Sequence, residues 1–174
     1  MKRSISLWQF LGFGITSLGG TLLHFLYDWT NESPVTALIS GVNESTWEYM
    51  KLLFFPLFVF AIVQSFFFKE YDNFWCVKLI GTLSGLISIP VLFYTYNGAF
   101  GKSPDWLNIT IFFISAAITF IVETRLFKKG KPSCKNQKFA FIALCIIAAL
   151  FFVFTFAPPQ IPLFQDPLTS TFGI

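Results

Sequence analysis

The sequence predicts an all-α protein, a polytopic transmembrane bundle of five spanning helices with its N-terminus inside and its C-terminus outside. Three observations carry this expectation. Five apolar runs, at residues 5–27, 46–68, 74–96, 106–127 and 139–156, are each close to the ~20 residues that cross a hydrocarbon slab of roughly 30 Å as a helix. Only 12% of residues are charged and 55% are hydrophobic, with a mean hydropathy of +0.66, whereas soluble domains carry about 25% charged residues. The basic residues, finally, collect in alternate gaps between the runs. A β-barrel is excluded because its strands are about 10 residues long and alternate in polarity, and the stretch from Leu52 to Phe60 is apolar on every face.

Taken in order, the first run follows Lys2 and Arg3 and reads as a retained signal anchor. It is longer than the roughly 7–15 residues of a cleaved signal and lacks a small-residue cleavage site. The second and third runs contain Pro56 and Pro90, each of which removes a backbone donor and should kink its helix. Gly81 and Gly85 form a G-x-x-x-G on the third run, which suits close helix packing within the chain. The fourth run carries Glu123 near its inner end beside Arg125, where an interfacial place is expected. After the fifth run the tail, 157–174, stays apolar, and its four prolines exclude another helix. An extended strap over the outer helix ends, covering Ile161, Leu163 and Phe164, is the expectation. With no repeat, linker or change of composition, residues 1–174 read as one integral membrane domain.

Orientation follows from the positive-inside rule. Lys2, Arg3, Lys69, Lys78, Arg125, Lys128, Lys129, Lys131, Lys135 and Lys138, ten of the twelve basic residues, fall on one side of a five-span chain. Removing any one of the first four spans would split them. The net charge of +3 is thereby explained by topology and is no sign of nucleic-acid binding. Cys76 and Cys134 fall on the inner side and Cys145 within a span, so no outward pair is available for a disulfide, and no C-x-x-C points to metal or redox chemistry.

Chemistry concentrates where the first run leaves the membrane and the second re-enters. His24, the one histidine, and Asp28 are four apart, and Glu44, Glu48 and Lys51 follow at spacings of four and three, so each set shares a helix face. Asn43 is placed to cap the second helix, with Glu44 in its first turn. Ionisable groups at the apolar boundary usually face a partner or a cavity. Two readings stay open. In one, Glu48 with Lys51 and His24 with Asp28 form an interfacial belt, with Trp29, Trp47 and Tyr49 anchoring the rim. In the other, these residues with Tyr94 and Asn97 line an outward pocket for a cation or small polar ligand. The cofactor is unknown, a divalent cation on His24, Asp28 and Glu48 being the candidate, and no zinc-enzyme spacing, G-x-S-x-G elbow or P-loop is present. Asn31, Asn43 and Asn108 each begin an N-x-S/T triplet, which matters only in a eukaryotic secretory pathway.

The stretch His24-Phe-Leu-Tyr-Asp28, then Val42-Asn43-Glu44-Ser45-Thr46-Trp47-Glu48 running to Lys51 and Pro56, then Phe93-Tyr94-Thr-Tyr96, with the ending Phe172-Gly173-Ile174, resembles an uncharacterised family of small multi-pass membrane proteins of Gram-positive, mostly clostridial, bacteria. This resemblance covers nearly the whole chain and implies a bacterial cytoplasmic membrane and no particular activity. His24, Asp28 and Glu48 are also similar to the early histidine and acidic residues of the emopamil-binding sterol isomerase superfamily, which implies a lipid-like substrate and proton-shuttling isomerisation. The fifth span departs from that superfamily, and its longer motifs are not matched.

The expected function is therefore a cell-membrane protein whose outward pocket binds or transports a cation or small polar ligand. The alternatives are a membrane-embedded isomerase or hydrolase using His24 with acidic partners on a lipid-like substrate, and a structural or partner-binding subunit. Membrane lipid is the expected partner, nucleic acid is not, and self-association is left open.

Overall fold

The computed structural model describes residues 4–174, so Lys2 and Arg3 lie outside the described residues, as does the side chain of Asp105. The chain is all-helical: α1 (Ile5–Trp29), the short α2 (Pro34–Ala37), α3 (Thr46–Ser65), α4 (Phe74–Phe100), α5 (Asp105–Lys129) and α6 (Gln137–Phe156). Five of these are long and apolar enough to cross a membrane, all but α2. Half of the apolar window of α3 is buried, against 22% for α6, so α3 is the inner element and α6 the outer. The main packing pairs are α1 with α3 and α5, and α4 with α3, α5 and α6, and the α4–α5 contact is the broadest. Large apolar side chains such as Phe10, Ile87, Phe139 and Val153 point outward, as a bundle whose solvent is hydrocarbon requires.

Successive junctions between the long helices alternate between opposite ends of this bundle. One end holds the start of α1, the α3–α4 turn and the α5–α6 loop, and is the basic end. The other holds the α1–α3 connection, the α4–α5 turn and the tail, and is the acidic end.

Local chemistry sets the helix limits. Ser4 caps α1 by accepting from the Leu7 N–H at 3.4 Å, and α1 stops where Asn31 and Glu32 take positive φ angles. Pro34 opens α2, where a missing N–H loses nothing. The cap of α3 is Ser45, not Asn43: its side chain accepts from the Glu48 N–H at 3.4 Å. Ser45-x-x-Glu48 has capping-box spacing, and Asn43 instead accepts from the Ser45 N–H and donates to the Gly173 carbonyl of the tail. Both α3 and α4 continue through their prolines, Pro56 and Pro90. Gly130, at φ 60°, ends α5 in the left-handed conformation, and the Lys131 N–H returns to the Leu126 carbonyl.

The tail makes a 3-10 turn at Pro162–Phe164 and an isolated antiparallel bridge between Gln165 and Phe172. The Asp166 carboxylate holds the turn by accepting from Leu168 N–H and Thr169 Oγ1. Phe164 is buried, Leu163 half-buried and Ile161 exposed. Phe164 packs at a tilt against Trp47, with 4.6 Å between ring centroids, and Trp47 also meets Phe151. Trp47 is thus buried under the tail and does not anchor a rim.

A second correction concerns the cysteines. Cys76 and Cys134 are joined in a disulfide with their Cα atoms 6.3 Å apart, because the α5–α6 loop folds back over the start of α4. Both lie at the basic end, where the sequence offered no outward pair.

Candidate functional site

At the acidic end, the last turns of α1 and the first turns of α3 are held side by side, and this places His24 against Glu44. His24 Nε2 lies 3.6 Å from Glu44 Oε1, with both side chains about one-third exposed at 33%. This is longer than a hydrogen bond and within ion-pair distance. The Tyr49 hydroxyl donates to Glu44 Oε2 at 2.6 Å, and its ring lies 6.2 Å from that of His24. Glu44 is therefore oriented by a third group and presents its other oxygen to the imidazole.

This trio stands between two openings. The first is a crevice of about 120 Å³ between α1, α3 and α5, lined by Gly20, Thr21, His24, Phe25, Tyr49, Leu52, Ile109, Phe112 and Phe113. Apart from His24, Tyr49 and Thr21 its walls are apolar. The second is a small polar pocket of about 30 Å³ that shares Glu44 and is roofed by Pro167 and Leu168 of the tail. Its walls are tied together: Asn97 accepts from the Ser103 N–H at 2.7 Å, and the Ser103 hydroxyl donates to Asn108 at 2.8 Å. Lys102 also lines it.

The remaining candidates divide. Glu48 is turned away from this rim and is buried, its carboxylate 2.5 Å from Lys51 Nζ and accepting from the Val42 N–H. Lys51 also donates to the Ala37 carbonyl and to Thr155 Oγ1, each at 2.9 Å, so one ammonium ties α3 to α2 and α6. Asp28 is exposed on the last turn of α1, and Tyr94 is exposed on α4. The structure thus brings His24 to Glu44, Asn97 to the same neighbourhood, and Glu48 to Lys51, and it does not gather His24, Asp28 and Glu48. Among the described residues no group of three or more His, Cys, Asp and Glu side chains is arranged to hold a metal ion.

A second buried charge pair lies at the basic end, and sequence reasoning missed it. Lys78 Nζ meets Glu123 Oε2 at 2.6 Å, with both side chains fully buried. Lys78 is therefore no flanking cation, and Glu123 does not sit in the interface beside Arg125. The reason is the approach of α4 to α5. A Cβ added at Gly81 would collide with Glu123 Cγ, and one at Gly85 with Thr119 Oγ1, so the bare face of α4 is what lets Glu123 reach across. Phe60, Phe74 and Phe120 surround the ammonium with ring centroids 5.5, 5.8 and 5.6 Å away. A signal was available. Lys78 lies four residues after Phe74 at the start of α4, and Glu123 six residues before Lys129 at the end of α5, so consecutive antiparallel spans carry opposite charges at similar depth.

Fold and sites together define a multi-helix protein of membrane-spanning type, with charge pairs sealed inside it at both ends and a polar, tail-roofed mouth at one. The chain belongs to DUF6512, a family of unknown function whose profile matches residues 1–174. Neither a curated protein nor a solved structure matches it.

Proposed function

We propose that this is a multi-pass cell-membrane protein, N-terminus inside, whose acidic end faces outward and binds an amphiphile with a cationic or hydrogen-bond-donating head. The orientation rests on the exposed charges, and the Cys76–Cys134 disulfide at the basic end is the observation that opposes it, since disulfides are rare on a reducing face. With Lys51 and Lys78 sealed into pairs, the exposed cations among the described residues are Lys69, Arg125, Lys128, Lys129, Lys131, Lys135 and Lys138 at one end against Lys102 at the other.

One observation carries the ligand class: the His24–Glu44 pair, oriented by Tyr49, stands at the polar edge of an apolar crevice. Apolar walls with a few convergent polar groups are the usual make-up of a small-molecule site. A ligand's hydrocarbon body would lie among Gly20, Ile109 and Phe112, with its head against Glu44. The sequence expectation of a cation or small polar ligand is thereby narrowed to one with an apolar portion, and transport of that ligand is the further step that an outward mouth allows.

The test uses detergent-purified protein and three single-chain amphiphiles of equal length, with trimethylammonium, maltoside and sulfate heads, followed by thermal shift. The trimethylammonium compound should stabilise the wild type, and Glu44→Gln or Ile109→Trp should abolish that gain. Equal response to all three heads, or an unchanged gain in both variants, would remove the site.

A second reading is supported by the same geometry. Glu44 held by the Tyr49 hydroxyl and facing an imidazole is the arrangement of an oriented acid–base pair. An isomerase or hydrolase acting on a lipid-like substrate would use His24 and Glu44 in those roles.

A further inference from the structure

At the basic end, two adjoining depressions lie beside the start of α6. One, of about 520 Å³, is polar and is lined by Asp72, Cys134, Lys135, Asn136, Gln137 and Lys138. The other, of about 360 Å³, shares Gln137 and Lys138 and continues along Trp75, Phe141 and Ile142. The polar part sits where α6 begins. Phe141 and Ile142 lie four and five residues into the helix, which at ~1.5 Å per residue is about 6–8 Å deeper along the spanning direction. A polar mouth at the helix start with an apolar floor running toward the middle of the span has the layout of a phospholipid lying parallel to the bundle.

The charges match such a ligand. Lys135 and Lys138 are exposed and close the polar depression from the loop and from the first turn of α6. That helix starts with no side-chain cap and no acidic residue in its first turn, so its leading N–H groups and the positive end of its dipole add to the two ammonium groups. Asp72 is the acidic group in the lining, and it disfavours a head carrying charge beyond one phosphate while accepting from head hydroxyls. The walls are held in place. The disulfide ties Cys134 to Cys76 on α4, Trp75 N–H donates to Gln137 Oε1 at 2.9 Å, and Trp75 packs on Phe141 at 4.6 Å.

We infer that this groove is a binding site for a singly charged anionic phospholipid of the leaflet at the basic end, its phosphate between Lys135 and Lys138 and one acyl chain along Trp75, Phe141 and Ile142. The site is separate from the His24–Glu44 mouth and does not depend on that reading or on which leaflet faces the cytoplasm.

The whole basic end attracts anionic lipid, so the test compares two charge losses on the same face. Purified protein in mild detergent is titrated with phosphatidylglycerol or phosphatidylcholine, and bound lipid is counted by native mass spectrometry. The wild type should hold one phosphatidylglycerol in strong preference to phosphatidylcholine. Lys135→Gln with Lys138→Gln should weaken it by about thirtyfold, the loss expected for two lysines at a membrane surface. Lys128→Gln with Lys129→Gln, away from the groove, should weaken it only a few-fold. Equal losses in the two double variants would mean a diffuse basic face and overturn the site. So would lack of preference between the lipids, or full displacement by millimolar inorganic phosphate, which would mark a free-anion site. Persistence of lipid preference in Glu44→Gln keeps this result distinct from the fate of the outer mouth.

Discussion

The two buried Lys–Glu pairs are built differently. Glu48 and Lys51 are three residues apart on one helix, and each has further partners: the Val42 N–H for the carboxylate, the Ala37 carbonyl and Thr155 hydroxyl for the ammonium. Lys78 and Glu123 come from different helices. Lys78 otherwise meets ring faces. Among the described residues Glu123 Oε1 and the buried amide of Gln9 make no short hydrogen bond, although the amide lies near enough to interact with the carboxylate. A buried ion pair rarely stabilises more than a well-packed apolar pair, but removing one member leaves a charge that the surroundings must carry. The difference therefore lies in what is left behind. At the acidic end a lone Glu48 keeps a fixed backbone donor, the Val42 N–H, whereas at the basic end a lone Glu123 keeps only the side-chain amide of Gln9 nearby.

The largest effect should come from Lys78→Met, which strands Glu123. A loss of roughly 3–5 kcal/mol is expected, read from unfolding of the protein in detergent, and the double variant Lys78→Met with Glu123→Leu should recover most of it. Independent, additive effects would show that the two groups do not share a site. Lys51→Met should cost about 2 kcal/mol, the range for losing a charged hydrogen bond whose partner retains another donor. If it proves as damaging as Lys78→Met, the contrast drawn between the two ends is wrong. Smallest of the three, Ser45→Ala should lower stability by about 1 kcal/mol through the loss of the α3 cap. That change should add to Lys78→Met, since the two sit at opposite ends, and should be less than additive with Lys51→Met on the same first turns.

Much of the fold could be read without coordinates, for a physical reason. In hydrocarbon every backbone group must bond within its own segment, so a spanning helix announces itself by length and polarity alone, and the observed helices start and stop within a few residues of the apolar runs. Local spacing served as well for Glu48 with Lys51, since residues three apart on a helix must be neighbours. The cap was misplaced by two residues because Asn43 and Ser45 are both good capping types. In the fold Asn43 is engaged with the Ser45 N–H and with the tail at Gly173, and Ser45 faces the helix start.

Of the candidate site, the sequence by itself determined the inventory: one imidazole and several carboxylates at one end, with lysines crowding the other. Which of these meet was decided by the rotation of each helix about its axis and by how closely the axes approach, quantities set by packing between residues far apart in the chain. The bare face at Gly81 and Gly85 admits Glu123 to Lys78, the return of α6 brings Thr155 to Lys51, the folding of the α5–α6 loop joins Cys134 to Cys76, and the pairing of α1 with α3 turns His24 to Glu44 and leaves Asp28 outside. Hydropathy reports depth in the membrane and says nothing about direction around a helix, because lipid is nearly the same solvent on every side. Direction is left to shape and to the pairing of buried polar groups, and those exist only once the helices have packed.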